Sequence, residues 1–390
     1  MSKRHSALRN MKLVIAESAA TAALLSVPIM TPFYLSLGLS QEEIALTQMA
    51  FTAAVMLLNL PLGWVADRFS RKWANVAGDL LGAISLLFYA TVSTFWAIVF
   101  CEILFGVGCA LSQGVDSTLL KHFCEKEDSS GKLFKSKYAK MASYREVTTL
   151  FILLLGGPIG AISFRLAIAL SSVTYFVGAT LSIFIEDDSE RLAASTKNPA
   201  REIARLVKRN ASDSSLRVRI AAYAVARECT HGIIWVFTPL MLYVGVPLEI
   251  VSVGWTINYI AAYLGTQMAR RFAPKMSKVQ IFLAPVVAVS AASIVMAIDL
   301  NIFTVCLYAL FGLARGWSGA TMMPLIKERV CSAEQSSVES LARVISQLLY
   351  VVAVWLINRA ADIQLQYALV ATAAIFAPLA IPIALRLRRE

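Results

Sequence analysis

Twelve long apolar segments constrain the fold of this chain more than any other feature. Each holds about 20 mostly apolar residues, the length that a helix needs to cross a bilayer, and none alternates as a barrel strand does. Hydrophobic residues make up 58% of the chain and charged residues 16%, whereas soluble domains have about 45–50% and about 25%. The sequence predicts an all-α membrane protein whose twelve transmembrane helices span residues 11–37, 42–62, 73–93, 95–120, 138–157, 163–185, 218–244, 248–269, 279–298, 301–325, 338–358 and 364–385.

Lysine and arginine are concentrated in alternate loops. An even number of spans places both termini on one side, and that side holds 30 of the 36 basic residues. The opposite loops hold Arg165 and Arg359, and four further bases fall inside spans. By the positive-inside rule, we expect both termini in the cytoplasm. The net charge of +11 is then explained by membrane topology, and we expect no nucleic-acid partner.

The two halves of the chain repeat one another. Residues 31–38 (TPFYLSLG) align with residues 238–245 (TPLMLYVG) at an offset of 207, and Glu42 matches Glu249 at the same offset. An internal repeat of this kind is typical of transporters whose two halves are copies of one bundle.

The repeat predicts the domain organisation. We expect two pseudo-symmetric six-helix bundles, at residues 1–185 and 218–390, joined by a cytoplasmic linker at 186–217. Within the linker, residues 199–209 are basic and amphipathic, which predicts a short helix at the lipid surface.

A charged loop of ten residues, GWVADRFSRK, joins the second and third spans. It resembles the signature loop of the major facilitator superfamily, G-x-x-x-D-R-x-G-R-R/K, with Ser70 in place of the second glycine. The matching positions are Gly63, Asp67, Arg68, Arg71 and Lys72. The resemblance implies a secondary transporter that works by alternating access, similar to compact twelve-helix antiporters of drugs and metabolites.

Two acids inside spans are candidates for proton coupling, because a charged side chain in a span is costly and needs a partner or a purpose. Glu17 lies on the first span with Ser18 and Thr21 nearby, and a structural ion pair is its alternative role. Glu102 precedes Gly106 and Gly108, where related antiporters carry an arginine in R-x-x-x-G-x-G. It is therefore a proton carrier, a cation contact, or an acid without a special role.

A second group of charges is expected at the cytoplasmic ends of the spans. Asp116 and Arg145 are predicted to join Asp67 and Arg71 in a cluster that, by resemblance, latches the two halves in one state. Asp79 is interpreted as a support for that cluster. Arg343 is predicted to pair with Glu339 four residues earlier.

Polar and aromatic residues of the second half are candidates for substrate binding. Arg227 and His231 share a helix face, and Arg315 has no acid at helical spacing on its own helix, which suggests an anionic partner. The alternative is structural pairing of these groups. The full set of candidates is Arg227, His231, Trp235, Asn258, Tyr259, Arg315, Trp317 and Gln347.

We therefore expect a proton-coupled transporter of the bacterial inner membrane that exports a drug or metabolite, works as a monomer and uses the proton gradient without a cofactor. An importer or exporter of one polar or anionic metabolite, such as a siderophore or carboxylate, is the alternative. A non-transporting receptor or a membrane enzyme is less favoured, since no H-E-x-x-H or G-x-S-x-G motif occurs. No C-x-x-C pair occurs either, and we expect no metal site or disulfide framework.

Overall fold

The computed structural model describes residues 3–22, 24–128, 131–186, 213–330 and 335–389. All regular structure in these ranges is helical, with no strand among them. The predicted amphipathic helix at 199–209 lies outside the described residues. Contacts divide the chain into two compact units, Met1–Phe33 with Thr47–Thr196, and Tyr34–Leu46 with Lys197–Glu390.

The helices of the first half include two that are much longer than a single span requires. They are α1 (Lys3–Thr21), α2 (Met30–Ser36), α3 (Gln41–Arg68), α4 (Arg71–Tyr89), α5 (Phe95–Ser112), α6 (Val115–Glu125), α7 (Lys132–Ile162) and α8 (Phe164–Ile183), with a 3-10 turn at Val27–Ile29.

The helices of the second half begin after the linker region. They are α9 (Ser214–His231), α10 (Ile234–Tyr243), α11 (Leu248–Phe272), α12 (Lys278–Ile298), α13 (Ile302–Val305), α14 (Ala309–Lys327), α15 (Gln335–Ile363) and α16 (Leu365–Leu387), with 3-10 turns at Ala273–Lys275 and Cys306–Tyr308.

Polar side chains set the starts of several of these helices. Ser70, Ser163 and Ser277 each accept a hydrogen bond from the backbone N–H three residues later. Asp213 accepts hydrogen bonds from the backbone N–H groups of Ser215 and Leu216, in the first turn of α9. Each cap satisfies a backbone donor that the first helical turn leaves without a partner.

Seven helical stretches within the described residues are long and apolar enough to cross a membrane. They are Phe95–Glu125, Lys132–Ile162, Phe164–Ile183, Lys278–Ile298, Ile302–Lys327, Val338–Ile363 and Leu365–Leu387. Each coincides with one of the twelve predicted spans. The other five spans stay predictions.

The first and seventh predicted spans are each interrupted, which the apolar pattern did not indicate. α1 ends at Thr21 and α2 begins at Met30, whereas α9 ends at His231 and α10 begins at Ile234. Both breaks fall in corresponding helices of the repeat. The fourth predicted span also breaks, at Gly114, whose positive φ of 78° is disfavoured for other residues.

Glycines let the helices of each unit cross at backbone contact. In the first unit, a β-carbon on Gly78 or Gly108 would lie 2.7 Å from the carbonyl oxygen of the other glycine. In the second unit, β-carbons on Gly312 and Gly316 of α14 would overlap carbonyl oxygens of α11. Small residues at helix crossings are typical of membrane bundles, because packing there replaces the hydrophobic effect.

The repeat is visible in the turn that ends its best-matched segment. Gly38 and Gly245 both have positive φ, 85° and 86°. The N–H of Gly38 donates to Leu35 at 3.0 Å, and the N–H of Gly245 donates to Leu242 at 3.0 Å. The offset of 207 residues seen in the sequence therefore holds for backbone geometry as well.

Candidate functional site

The polar interior of the first unit is built from residues on four elements. Glu17 lies on α1, Asp79 on α4, Asp116 in the first turn of α6 and Arg145 on α7. Gly178 of α8 makes room for them. A β-carbon there would lie 3.1 Å from Asp79 Oδ2 and would overlap the methyl group of Thr21.

The predicted pair of Asp116 and Arg145 is present. Arg145 Nη1 lies 3.5 Å from Asp116 Oδ2, and the same oxygen accepts a hydrogen bond of 2.7 Å from Ser18 Oγ. The aspartate is 16% exposed and the arginine 48%. Asp116 therefore connects the first helix to the seventh through one carboxylate.

The signature loop is described only in part. The side chains of Asp67 and Arg68 lie outside the described part of the structure, so their predicted contacts remain predictions. Gly63 has open space where a β-carbon would stand, and Lys72 Nζ lies 5.3 Å above the ring of Trp73. The predicted part of Asp67 and Arg71 in the latch likewise stays a prediction.

Glu17 and Asp79 form a buried acid pair that no cation of the described residues contacts, although the charge of Arg145 reaches Glu17. They are 3% and 1% exposed, and Asp79 lies within electrostatic reach of both Glu17 and Asp116. Glu17 Oε2 and Asp79 Oδ2 accept no hydrogen bond, and among the described residues no basic nitrogen lies within 4 Å of either carboxyl group. We call these two residues the acid pair.

Sequence reasoning missed the acid pair. It interpreted Asp79 as a support for the Asp116 cluster and treated Glu17 alone, because the approach of α4 to α1 is a tertiary contact. Thr21 Oγ1 lies 3.4 Å from Glu17 Oε1, and Asn75, on α4 with Asp79, donates to Ser182 at 3.0 Å. Asn75 and Asp79 lie one turn apart, and this spacing is the signal from which a polar face could have been predicted.

Glu102 occupies a separate position. It is 6% exposed, and Gln48 Nε2 of α3 donates a hydrogen bond to its Oε1. Neither Glu17 nor Asp79 hydrogen-bonds to it. The structure therefore brings Glu17 together with Asp79, and it does not join the two candidates for proton coupling that the sequence suggested.

The second unit also holds a buried acid, but this one is compensated. Glu228 on α9 lies 3.2 Å from Arg227 Nε, with the glutamate 4% and the arginine 42% exposed. Ser346 of α15 donates a hydrogen bond to the same carboxylate. Arg227 Nη1 donates to the hydroxyl of Tyr223 at 2.9 Å. Arg227 thus forms an ion pair with Glu228. Structural pairing of this kind was the alternative to a role of Arg227 in substrate binding.

Arg315 and His231 lie on the same side of the second unit as Arg227. His231 Nδ1 lies 2.9 Å from the carbonyl oxygen of Arg227, so that nitrogen must carry the proton and Nε2 remains an acceptor. The Arg315 guanidinium lies 4.4 Å above the ring of Tyr259, and its charge reaches His231. These contacts bring α9, α11 and α14 together in one basic and aromatic group.

The hydrogen bonds of the other candidates for substrate binding indicate what each side chain does. Asn258 donates to the Tyr308 carbonyl at 3.0 Å, and Trp317 donates to the Ile281 carbonyl at 3.0 Å; we interpret both as packing contacts. Trp235 donates to the Tyr350 hydroxyl at 3.0 Å, which ties α10 to α15. Gln347 is half-buried.

Metal chemistry finds no support in the described part of the chain. No group of three or more His, Cys, Asp or Glu is placed to hold an ion there.

Outside the spans, two hydrogen bonds join α1 to Glu186, which follows the end of α8. Ser6 Oγ donates to the carboxylate of Glu186, and this hydrogen bond holds the pKa of Glu186 below its ordinary value. The backbone N–H of Glu186 donates to Asn10 at 3.1 Å. The chain after α8 is thus held against the first helix.

Comparison with protein families gives a single answer. The family model described as Major Facilitator Superfamily matches residues 14–354. The chain belongs to the major facilitator superfamily. It is therefore a membrane transporter and not an enzyme. No curated protein with a matching sequence was found.

Solved structures of transporters share this fold at low sequence identity. The nucleoside transporter NupG is 13% identical over 100% of this chain and 99% of its own, with a TM-score of 0.80. A bacterial homologue of the human lysosomal transporter Spinster is 12% identical over 100% and 98%, with a TM-score of 0.77. A D-xylose-proton symporter is 13% identical over 98% and 96%, with a TM-score of 0.69.

Proposed function

We propose that this member of the superfamily is a proton-coupled secondary transporter that moves a small molecule across a bacterial inner membrane by alternating access. The acid pair of Glu17 and Asp79 is the observation that supports coupling most. A charged side chain in a membrane span costs about 2.5–3.5 kcal/mol on insertion scales. Within the described ranges no cation lies within 4 Å of the pair, and Arg145 acts on Glu17 only from a greater distance. A bound proton removes the cost.

The pair suits a reversible proton site because its two carboxyl groups are close and share a poorly solvated environment. Two such groups cannot both be charged without repulsion, and one proton between them relieves it. Coupling further requires that proton occupancy differs between the states of the transporter. Asp116 is well placed to sense that difference, since its charge reaches the pair and its side chain also contacts Arg145.

The architecture that goes with this proposal is the one expected from the sequence. It has twelve transmembrane helices in two six-helix bundles, a linker at 186–217 and both termini in the cytoplasm. Seven of these twelve predicted spans coincide with apolar helices of the described residues. The transporter is proposed to act as a monomer, with the proton gradient as its energy source and no cofactor.

For direction, we propose export by exchange of cargo for protons. The likeness to antiporters that carry the two glycines after position 102 supports this choice, and in this structure Gly106 packs on Phe51 and Ala54 of α3. The second candidate is a carrier of one polar or anionic metabolite. Arg315, whose charge has no acidic partner among the described residues, favours that candidate.

The proposal is tested by proton movement in membrane vesicles that contain the overproduced protein. Everted and right-side-out vesicles receive a panel of cationic dyes and monocarboxylates, and a pH-sensitive dye reports proton flux. We expect the flux that a transported compound evokes in the wild type to be lost in Glu17→Gln and Asp79→Asn. Comparison of the two vesicle orientations separates export from import.

A control variant and a second measurement make the result independent of the compounds chosen. Glu125→Gln removes an exposed carboxylate that pairs with Lys121 at 3.8 Å, and it should leave the flux unchanged. Infrared spectra of the purified protein from mildly acidic to alkaline pH should show a protonated carboxyl group that Glu17→Gln removes. Wild-type flux in both acid-pair variants, with no such infrared signal, contradicts proton coupling through this site.

A further inference from the structure

Arg315 is a charged residue at the centre of a membrane span without an anionic partner. No carboxylate oxygen of the described residues lies within 4 Å of its guanidinium group, and its recorded contact is the ring of Tyr259 at 4.4 Å. The side chain is half-buried. Because an uncompensated arginine at this depth is costly, the position calls for an anion that the protein itself does not supply.

The depth of Arg315 excludes a lipid headgroup as that anion. It stands near the middle of the helical stretch Ile302–Lys327. At 1.5 Å per residue it lies about 20 Å from the start of that stretch and about 18 Å from its end. Headgroups stay at the two membrane surfaces, so the anion must be a molecule that enters the protein.

Tyr259 prepares the guanidinium group for recognition of a planar anion. The ring centroid lies 4.4 Å from the guanidinium carbon, a cation–π contact that restrains the group. The N–H donors of a guanidinium form a planar fork that matches both oxygens of a carboxylate. α11 and α14, which carry the two residues, are held together by Gly312 and Gly316 at backbone contact. The fork is therefore preorganised.

The charges around the fork set the charge of the ligand. Arg227 is neutralised by Glu228 at 3.2 Å, and His231 directs its protonated Nδ1 to a backbone carbonyl. The group of Arg227, Glu228, His231 and Arg315 consequently has a net charge of +1 when the histidine is neutral. One negative charge on the ligand balances it, whereas a dianion leaves one charge uncompensated in a poorly solvated site.

We propose that the second unit binds a monocarboxylate through Arg315, with Tyr259 as the residue that positions the guanidinium group and His231 Nε2 as an acceptor for a ligand hydroxyl or N–H. This inference rests on the proposed transport function and names the cargo class for it. It also gives a role to the charges around Arg315: the site should bind ligands with one negative charge and should not bind their neutral isosteres.

The test is ligand binding to the purified full-length chain in detergent, without added lipid and with added phosphatidylglycerol. The probes are lactate, benzoate and gluconate as monocarboxylates, benzamide as a neutral isostere, and phthalate and phenyl phosphate as dianions. Thermal stabilisation gives the ranking, and calorimetric titration gives the dissociation constant of the best probe. We expect a monocarboxylate to rank first, and phosphatidylglycerol to leave its dissociation constant unchanged.

Three variants locate the binding site. Arg315→Gln should weaken binding of the best monocarboxylate about 10- to 100-fold, as expected when charge-assisted hydrogen bonds are lost. Arg315→Lys keeps the charge but loses the fork and should remain at least several-fold weaker. Arg343→Gln is the matched control, because Arg343 is exposed and pairs with Glu339 at 2.7 Å; it should bind as the wild type does.

The outcomes separate this inference from the proposed function. Binding of dianions or benzamide in preference to every monocarboxylate overturns it, as does absence of binding by all three monocarboxylates in a folded protein with wild-type thermal stability. Wild-type affinity in Arg315→Gln also overturns it. None of these results affects proton flux through the acid pair, whereas loss of that coupling leaves the binding measurements unchanged.

Discussion

Three buried acids in this transporter differ in the hydrogen bonds and ion pairs that their neighbours provide. Glu228 has an arginine and a serine hydroxyl against its carboxylate. Glu17 and Asp79 each keep a carboxyl oxygen without any hydrogen bond. The first arrangement stabilises a charge in place, and the second favours a group that exchanges a proton. The same residue type thus has two uses, which depend on what the adjacent helix presents.

The Arg227 and Glu228 pair gives a prediction for stability. Arg227→Gln leaves the buried carboxylate with only Ser346 and weakens the fold by about 1–3 kcal/mol, the usual cost of an unsatisfied buried group. The double variant Arg227→Gln/Glu228→Gln should recover a large part of this loss, because no buried charge remains. Thermal unfolding of the purified variants measures both. A double variant that is less stable than either single one would contradict the pairing.

At the level of residues, sequence could predict local pairs but not tertiary ones. Arg343 does pair with Glu339, since four residues on one helix fix their distance. The contact of Asp116 with Arg145 was also predicted, from their common depth. Arg219 is one of the 30 basic residues that the sequence placed on the cytoplasmic side, yet it is 2% exposed and donates to the Leu325 carbonyl and to Glu328. Its burial depends on the end of α14, more than a hundred residues away.

The crossing of α11 and α14 gives a prediction at the level of helices. A β-carbon on Gly316 would overlap the carbonyl of Ala262, whereas Gly319, one turn further along α14, has open space at the same position. Gly316→Ala should therefore destabilise the protein by about 1–3 kcal/mol through overpacking. Gly319→Ala is the matched control.

Thermal unfolding compares the two glycine variants under identical conditions. Gly319→Ala should lose no stability, because alanine favours a helix over glycine by about 0.8–1.0 kcal/mol. Equal behaviour of the two variants would show that α11 and α14 do not meet as closely as the structure indicates.

The duplicated turn gives a second prediction at this level. Gly38→Ala and Gly245→Ala each place a side chain on a backbone with φ near 85°, which costs about 1–2 kcal/mol. No neighbouring atom lies within 4 Å of either site, so the cost is conformational and should be alike for both. Asparagine, which tolerates this conformation better, should lose less stability than alanine in the same unfolding experiment.

Sequence predicted where helices lie better than where they break. Hydropathy reports length and apolarity, and the interruption between α1 and α2 contains residues as apolar as the helices around it. Gly156 and Gly160 of α7 pack against Leu25 and Ile29, so the irregular segment is covered by a helix face without side chains. That contact is not visible in the sequence of either segment.

For the whole molecule, the distribution of basic residues predicts how the chain crosses the membrane. Reporter fusions test this directly. A fluorescent protein that folds only in the cytoplasm should be bright when fused after residue 389, and alkaline phosphatase should be active when fused at Ser93 or Ser163. The reverse pattern at any of these positions would require a different number of spans.

The whole fold was more predictable than the site, because apolar length and charge bias are properties of long segments that need no knowledge of neighbours. The resemblance of ten residues in one loop was sufficient to indicate the family. The acid pair and the stacking of Arg315 on Tyr259 depend on helices separated by dozens of residues. The sequence could name candidate residues for these contacts, but it could not predict the contacts themselves.

The backbone contact between α11 and α14 has a consequence for adaptation to new cargo. Since Gly312 and Gly316 fix the two helices to each other, side chains beside Arg315 can change without altering the spacing of the helices that carry it. Laboratory evolution toward a different monocarboxylate should accumulate substitutions at neighbouring positions such as His231, which the charge of Arg315 reaches, and leave both glycines untouched. The geometry of this helix crossing would then stay constant while the substrate specificity changes.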